Sequence, residues 1–226
     1  MLSDLTAVGA THEAVRGVID LRQIQDSKKF NIKLNGEWEF YWDRMLRPYD
    51  FQGKKIKPDF FGKVPAYWTD YSGKTLSTTK EGFATYRLTI LLPSGFRESL
   101  AVDLPVFDSS YDIYINDQYY GGNGVPGMSA EETKPEYKRN FFRVEPGSDT
   151  LTVIINVANF HHRRGGFWMP MRLGTFKEVH QRFYNSWAGD WAIISLLFGF
   201  SLFFLFFFII YPKDLAMGFL TMATIG

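Results

Sequence analysis

Cysteine is absent from the 226 residues. That excludes disulfides, thiolate nucleophiles and Cys-ligated zinc. It leaves the compartment open, since a domain of this size needs no disulfide staples. An excess of charge of one sign is also missing: 25 Lys and Arg stand against 24 Asp and Glu, a formal net charge of +1. Without a strong field to attract a polyanion, nucleic acid is not expected as a partner. The segment Met1 to Thr11 lacks the basic start and unbroken apolar run of a signal peptide. A large domain ahead of a membrane helix ordinarily needs such a signal, so the expectation is a true N-terminus upstream, or Met1 as an internal start. No HExxH motif occurs, and no Lys-Ser/Thr follows the glycine-rich Gly121-Gly122-Asn123-Gly124, so a zinc protease is not expected and that segment is not a phosphate-binding loop.

What is abundant is aromatic and local. Aromatic residues make up 18% of the chain, with 22 Phe, many of them between Phe198 and Phe208. Residues 191–210 contain only Trp, Ala, Ile, Ser, Leu, Phe and Gly. A helix of about 20 such residues, at ~1.5 Å rise each, covers a ~30 Å hydrocarbon layer. Asp190 closes the run on one side, and Pro212, Lys213 and Asp214 close it on the other. Trp187, Trp191 and Tyr211 stand where interfacial aromatics belong. Residues 215–226 are apolar and uncharged but too short to span, so they are expected to open a second membrane helix that this chain does not complete. The chain is therefore treated as a fragment. Residues 177–190 are expected to form a juxtamembrane connector.

Ahead of Asp190 the period is two. Ala84, Tyr86, Leu88, Ile90 and Leu92 point one way, and Thr85, Arg87 and Thr89 the other, the pattern of a half-buried strand. Leu100, Val102 and Leu104 repeat it, as do Tyr111, Ile113 and Ile115. Residues 151–157 are rich in β-branched side chains, and 36–42, 139–144 and 169–173 are shorter candidates. Pro93-Ser94-Gly95, Asn116-Asp117, Gly121-Gly122-Asn123-Gly124 and Pro146-Gly147 supply turns. Short strands with turns between them predict a mainly β protein: an antiparallel β-sandwich or jelly roll over residues 18–176, after a lead-in at 1–17, followed by a transmembrane α-helix.

Landmarks occur in a fixed order: Leu34-Asn35-Gly36-Glu37-Trp38, Val64-Pro65-Ala66-Tyr67-Trp68, Gly82-Phe83-Ala84-Thr85-Tyr86-Arg87 and Ile113-Tyr114-Ile115-Asn116-Asp117. The succession resembles the non-catalytic sugar-binding jelly roll of glycoside hydrolase family 2, which has a galactose-binding-like fold. Asn159-Phe160-His161-His162-Arg163-Arg164-Gly165-Gly166-Phe167-Trp168, then Leu173-Gly174 and a membrane run, move the likeness further. Together with residues 34–42 they resemble bacterial seven-transmembrane receptors with diverse intracellular signalling modules. That resemblance implies an extracytoplasmic β sensor on a bacterial inner membrane, with any catalytic output after residue 226.

Titratable groups that could do chemistry are sparse. His161 and His162 are adjacent, and adjacent strand residues face opposite ways, so one metal ion is not expected between them. No metal and no cofactor is expected. Glycoside hydrolysis needs two carboxylates flanking the bond. Glu37, Glu39, Asp103, Asp108 and Asp112 are available, but strand carboxylates of this kind usually face solvent. The segment 161–168 offers three readings. Arg163, Arg164 and Trp168 suit an anionic or sugar ligand, by forked donors and a flat indole; or they brace the last strand; or they transmit motion towards the membrane. Trp38, Tyr41 and Trp42 are expected in the core, with Trp68, placed in a loop, as the exception that could stack on a sugar. The Gly121–Gly124 segment is expected as a flexible loop at one mouth of the sandwich. The candidate ligand-binding residues are thus Trp68, Asn123, His161, Arg163, Arg164 and Trp168. The expected partners are a small polar or carbohydrate ligand, the lipid bilayer and a second copy in a homodimer. A protein-interaction module, or a piece of a membrane-tethered glycoside hydrolase, is the alternative.

Overall fold

A computed structural model of the chain describes residues 12–71, 78–106, 109–210, 220 and 223. The expected second membrane segment at 215–226 lies outside them except for two isolated positions, as do Asp108, the turn at 211–214 and most of the N-terminal lead-in. Residues group into two units, Met1–Val179 and His180–Gly226. In chain order the strands are β1 (Val18–Asp20), β2 (Asn31–Lys33), β3 (Gly36–Trp42), β4 (Phe60–Val64), β5 (Ala66–Tyr67), β6 (Gly82–Leu91), β7 (Leu100–Leu104), β8 (Ser110–Ile115), β9 (Gln118–Asn123), β10 (Asn140–Val144), β11 (Thr150–Asn159), β12 (Gly166–Phe167) and β13 (Arg172–Thr175), followed by helix α1 (Phe176–Ile210).

The larger sheet runs β4-β3-β6-β11-β8-β9. Strand β3 covers one edge of β6 along Ala84 to Arg87, and β1 pairs parallel to the same edge along Thr89 to Leu91. The smaller sheet runs β10-β7-β13-β2, and β12 pairs with β5 in a separate ribbon. The period-two pattern explains the packing. Ala84, Tyr86, Leu88 and Ile90 of β6 lie opposite Val157, Ile155, Val153 and Leu151 of β11. These eight are buried. They join Leu100, Val102 and Leu104 of the smaller sheet in one hydrophobic cluster. Each of the Leu, Ile and Val side chains contributes about 1.5–3 kcal/mol relative to exposure, set against the entropy of ordering the chain. The β-sandwich followed by a helix is the architecture expected from the sequence.

The outer faces are less open than alternation alone implies. On the larger sheet Thr85 is fully buried, because the chain after β3 folds back over it. Its hydroxyl accepts from Leu46 N–H at 2.9 Å and lies 2.6 Å from Asn156 Oδ1. Arg87 donates to Glu39 at 2.9 Å and lies over the Phe51 ring at 4.8 Å. On the smaller sheet the buried Asp103 takes a bidentate pair from Arg139, at 2.9 and 2.8 Å. Asp103→Asn keeps the shape but loses the charge that Arg139 needs, and should lower unfolding free energy by about 1–3 kcal/mol. Urea denaturation of the full chain in detergent measures it, and an unchanged midpoint would show the pair to be dispensable.

Strand β9 corrects one expectation. Gly121-Gly122-Asn123 is not a free loop but the end of this strand, paired with Ile113, Asp112 and Tyr111 of β8. The glycines are there for space: a Cβ on Gly122 would fall 2.1 Å from the Tyr111 carbonyl oxygen, and Gly121 has φ +126°.

Helix α1 begins at the residue after β13. Phe176 N–H donates to Ser99 O at 2.8 Å, and the Phe176 ring packs edge-on to Phe141 at 5.9 Å. Val179 is fully buried, beside Gly174, where an added Cβ would come within 2.8 Å of it. Residues 177–190, the expected juxtamembrane connector, are helical and belong to α1. Among the described residues α1 is the one helix long and apolar enough to cross a membrane. Ile193, Leu196, Phe198, Phe203, Phe206 and Ile209 are all exposed, an apolar surface suited to lipid tails rather than to water.

Candidate ligand-binding site

The site is built on the β5–β12 ribbon. Val64-Pro65 is a cis peptide that leads into β5. The register sets Gly166 against Tyr67 and Phe167 against Ala66. The two glycines before Phe167 are a steric requirement. A Cβ on Gly165 would lie 2.6 Å from the Trp68 ring, and Gly166 has φ +133°. Phe167 is then driven into the core, edge-on to Trp38 at 5.6 Å and Tyr86 at 5.8 Å. Arg163 and Arg164, ahead of the buried glycines, are exposed, and Trp168 is half-buried. The loop before the ribbon is held by Asn159, whose Nδ2 donates to Lys80 O at 2.8 Å and His162 O at 3.0 Å.

Outside this ribbon lies a cleft of roughly 360 Å³ lined by Tyr67, His162, Arg163, Arg164 and Trp168. The Arg164 guanidinium stands over the Tyr67 ring at 4.9 Å. Tyr67 and Trp168 have ring centroids 5.6 Å apart at 32°, so they form one shallow aromatic surface. Among the described residues no carboxylate lies within ion-pair distance of Arg163 or Arg164. His162 also meets Tyr137, whose hydroxyl is 3.3 Å from Nδ1 and 3.4 Å from Nε2.

Three of the six expected residues, Arg163, Arg164 and Trp168, thus share one cleft. The other three do not. Trp68 is a correction: it has 0% exposure, donates its indole N–H to Tyr86 at 2.8 Å and packs edge-on to Trp42 at 5.0 Å. It sits in a short 3-10 turn, Trp68–Tyr71, that folds it inward, so it cannot stack on a ligand. Asn123 is a second correction. It is fully buried, with Nδ2 on Glu136 O at 2.5 Å and Oδ1 accepting from Lys138 N–H at 2.9 Å, so it joins chain segments. His161 turns away from the cleft, its Nε2 3.0 Å from both Ala130 O and Thr133 O.

Sequence reasoning missed Tyr67 and singled out only the other member of the His pair. The signal for Tyr67 was available: in an extended segment, a residue beside an inward Trp68 faces outward. Among the described residues no group of three His, Asp or Glu could hold a metal ion. A second concavity of roughly 250 Å³ lies against the outer face of the larger sheet, lined by Phe51, Gln52, Arg87, Asp117 and Thr152 among others. There the arginine is already paired with Glu39.

No family model matches the chain. No curated protein matches it either. Among solved structures it is similar to a β-glucuronidase from an uncultured Clostridium species, at 14% identity and TM-score 0.49, over 67% of this chain and 30% of that one. A Ruminococcus gnavus β-glucuronidase matches at 13% identity and TM-score 0.46, over 66% and 29%. A GH2 β-galacturonidase from Eisenbergiella tayi, bound to galacturonate, matches at 10% identity and TM-score 0.45, over 65% and 24%. The chain spans less than a third of each of these proteins.

Proposed function

We propose that this chain is the ligand-sensing β domain and first membrane helix of a bacterial transmembrane receptor, and that its cleft binds a small polar, carbohydrate-like ligand without transforming it. The observation that carries the reading is the cleft itself: two guanidiniums with no carboxylate partner among the described residues, beside a joined Tyr67–Trp168 surface. Arginine forks hold oxygen-rich groups and the aromatic surface covers the apolar face of a sugar ring. None of the lining side chains is an acid, so the paired carboxylates that glycoside hydrolysis requires are not in the cleft. The resemblance to seven-transmembrane signalling receptors supplies the rest of the proposal: a bacterial inner membrane, a β domain outside the cytoplasm and an output beyond residue 226. Binding would alter signalling only by having different affinity for two arrangements of the membrane part.

A second reading has its own support. Val125, Met128 and Tyr137, on the segment that meets His161 and His162, are 52%, 60% and 62% exposed. That favours a protein partner, or a second copy, covering this side.

The test is a melting-temperature screen of the full chain in nanodiscs against sugars and organic acids. A saturating ligand raises the melting temperature by linkage. Arg164→Ala should weaken the binding about tenfold, the equivalent of ~1.4 kcal/mol. No shift across the panel would remove the direct-sensor reading and leave the protein-partner reading standing.

A further inference from the structure

Within that reading of the cleft, on which the following rests, we infer that the ligand is an acidic sugar, a ring carrying a carboxylate or a sulfate ester, and that neutral sugars are selected against.

The reason is the imbalance between donors and acceptors. A guanidinium offers five N–H donors and no acceptor, and an indole offers one donor. Arg163 and Arg164 therefore bring only donors to the cleft, while Trp168 offers its ring and keeps its indole N–H buried. The His162 ring nitrogens are 3.3 and 3.4 Å from the Tyr137 hydroxyl, with the donor and acceptor roles set by the tautomer. The Tyr67 hydroxyl and at most one His162 ring nitrogen are the side-chain acceptors among the lining residues, against the donors of two guanidiniums. A neutral sugar hydroxyl must donate as well as accept. In a donor-rich cleft its hydrogens find few partners, and a polar group buried without a partner is penalised. A carboxylate or sulfate oxygen only accepts, and its bonds to guanidinium are the stronger, charge-assisted kind.

Charge points the same way. Arg44, Arg87, Arg139 and Arg143 each have a carboxylate within ion-pair distance. Arg163 and Arg164 have none among the described residues, although they are consecutive in the chain and open on the same cleft. Two adjacent like charges raise each other's energy, and one anion between them relieves both. The aromatic half says that the anion is attached to something flat. Arg164 is stacked on Tyr67 at 4.9 Å, and Tyr67 runs on to Trp168. A ring held at the guanidiniums by its acidic group would lay its apolar face there. A volume of roughly 360 Å³ lies at the lower end of small-ligand sites, about 300–1,000 Å³.

The experiment is calorimetric titration of the full chain in nanodiscs with matched pairs: glucose and glucuronate, galactose and galacturonate, N-acetylglucosamine and its 6-sulfate. Free acetate and free sulfate are added as separate arms. At least one acidic sugar should bind about tenfold or more tightly than its neutral parent, with affinity falling as salt rises. Arg163→Gln with Arg164→Gln should abolish that preference, and Trp168→Ala should weaken the acidic sugar while leaving weak binding of free sulfate unchanged. Both arginines are exposed, so circular dichroism of the double variant should match the parent. Neutral sugars binding as well as the acids would overturn the inference and leave the cleft as a sugar site. Free sulfate binding as tightly as the sugar acid would also overturn it, since the ring would then count for nothing. Binding by none of the probes would take down the cleft reading as a whole.

Discussion

Trp68→Ala is expected to lower the unfolding free energy of the β domain by about 3–5 kcal/mol. For a unit of this size that is a fall in melting temperature of roughly 6–20 °C. The indole has 0% exposure. It is enclosed by Trp42 on one side and by the Gly165 backbone on another, and its N–H is satisfied by the Tyr86 hydroxyl at 2.8 Å. Truncation leaves a cavity of ring size and strips a fully buried hydroxyl of its donor. Trp168→Ala, two residues after Gly166 and only half buried, should cost far less stability and should affect binding instead. Differential scanning calorimetry of the two variants separates a core tryptophan from a cleft tryptophan. A loss below about 1 kcal/mol for Trp68 would contradict its burial.

Raising the pH above about 10, where an unperturbed tyrosine ionises, is expected to destabilise the protein steeply. Burial is the leading cause that pushes Tyr71, Tyr86 and Tyr111 upward, Tyr111 to about 12 and the other two well above the ordinary value. The neighbouring Tyr86 adds to the effect on Tyr71, while the hydrogen bond from Asn140 to Tyr111, at 2.7 Å, partly opposes it there. All three pKa values are higher in the folded state. Between about pH 10 and 12 the unfolded chain therefore binds fewer protons than the native one, so stability falls as pH rises. Three retained protons correspond to a slope of about −4 kcal/mol per pH unit. Urea midpoints measured across that range test it, with tyrosinate absorbance as the monitor. Tyr111→Phe should make the slope shallower by about 1.4 kcal/mol per pH unit. A stability flat across pH 10 to 12 would mean that these hydroxyls are not held away from water.

How far the sequence carried depended on segment length. Strands β6 and β11 each have 10 residues, long enough for alternation to show, and both were legible. The 3-residue β1 and β2 and the 2-residue β5 and β12 carry no period of their own. They are strands because a neighbouring edge pairs with them. Strand β9 was hidden by its glycines, which signal a turn in isolation and a close backbone approach in place. The apolar run of α1 was legible throughout, and residues 174–187 were the one stretch before it that read as helical, which agrees with a helix starting at Phe176. At the site, chemistry was easier to see than direction. Arginine, tryptophan and glycine together pointed to the segment that lines the cleft. Which of two adjacent aromatics, Tyr67 or Trp68, turned outward depended on a 3-10 turn that the sequence does not announce.

The ribbon of β5 and β12 has a further consequence for binding entropy. Phe167 is locked in the core between two cleft residues, Arg164, which precedes it by way of two glycines, and Trp168, which follows it. The aromatic floor is thus ordered when the domain folds, and a ligand of the proposed kind would meet it already in place. Immobilising a long, freely rotating side chain on binding costs about 0.5–1.5 kcal/mol. Here that burden falls on Arg163 and, less so, on Arg164, whose head is already stacked on Tyr67. The flat half of the cleft would then set the pose, and the mobile half would decide how tightly it is held.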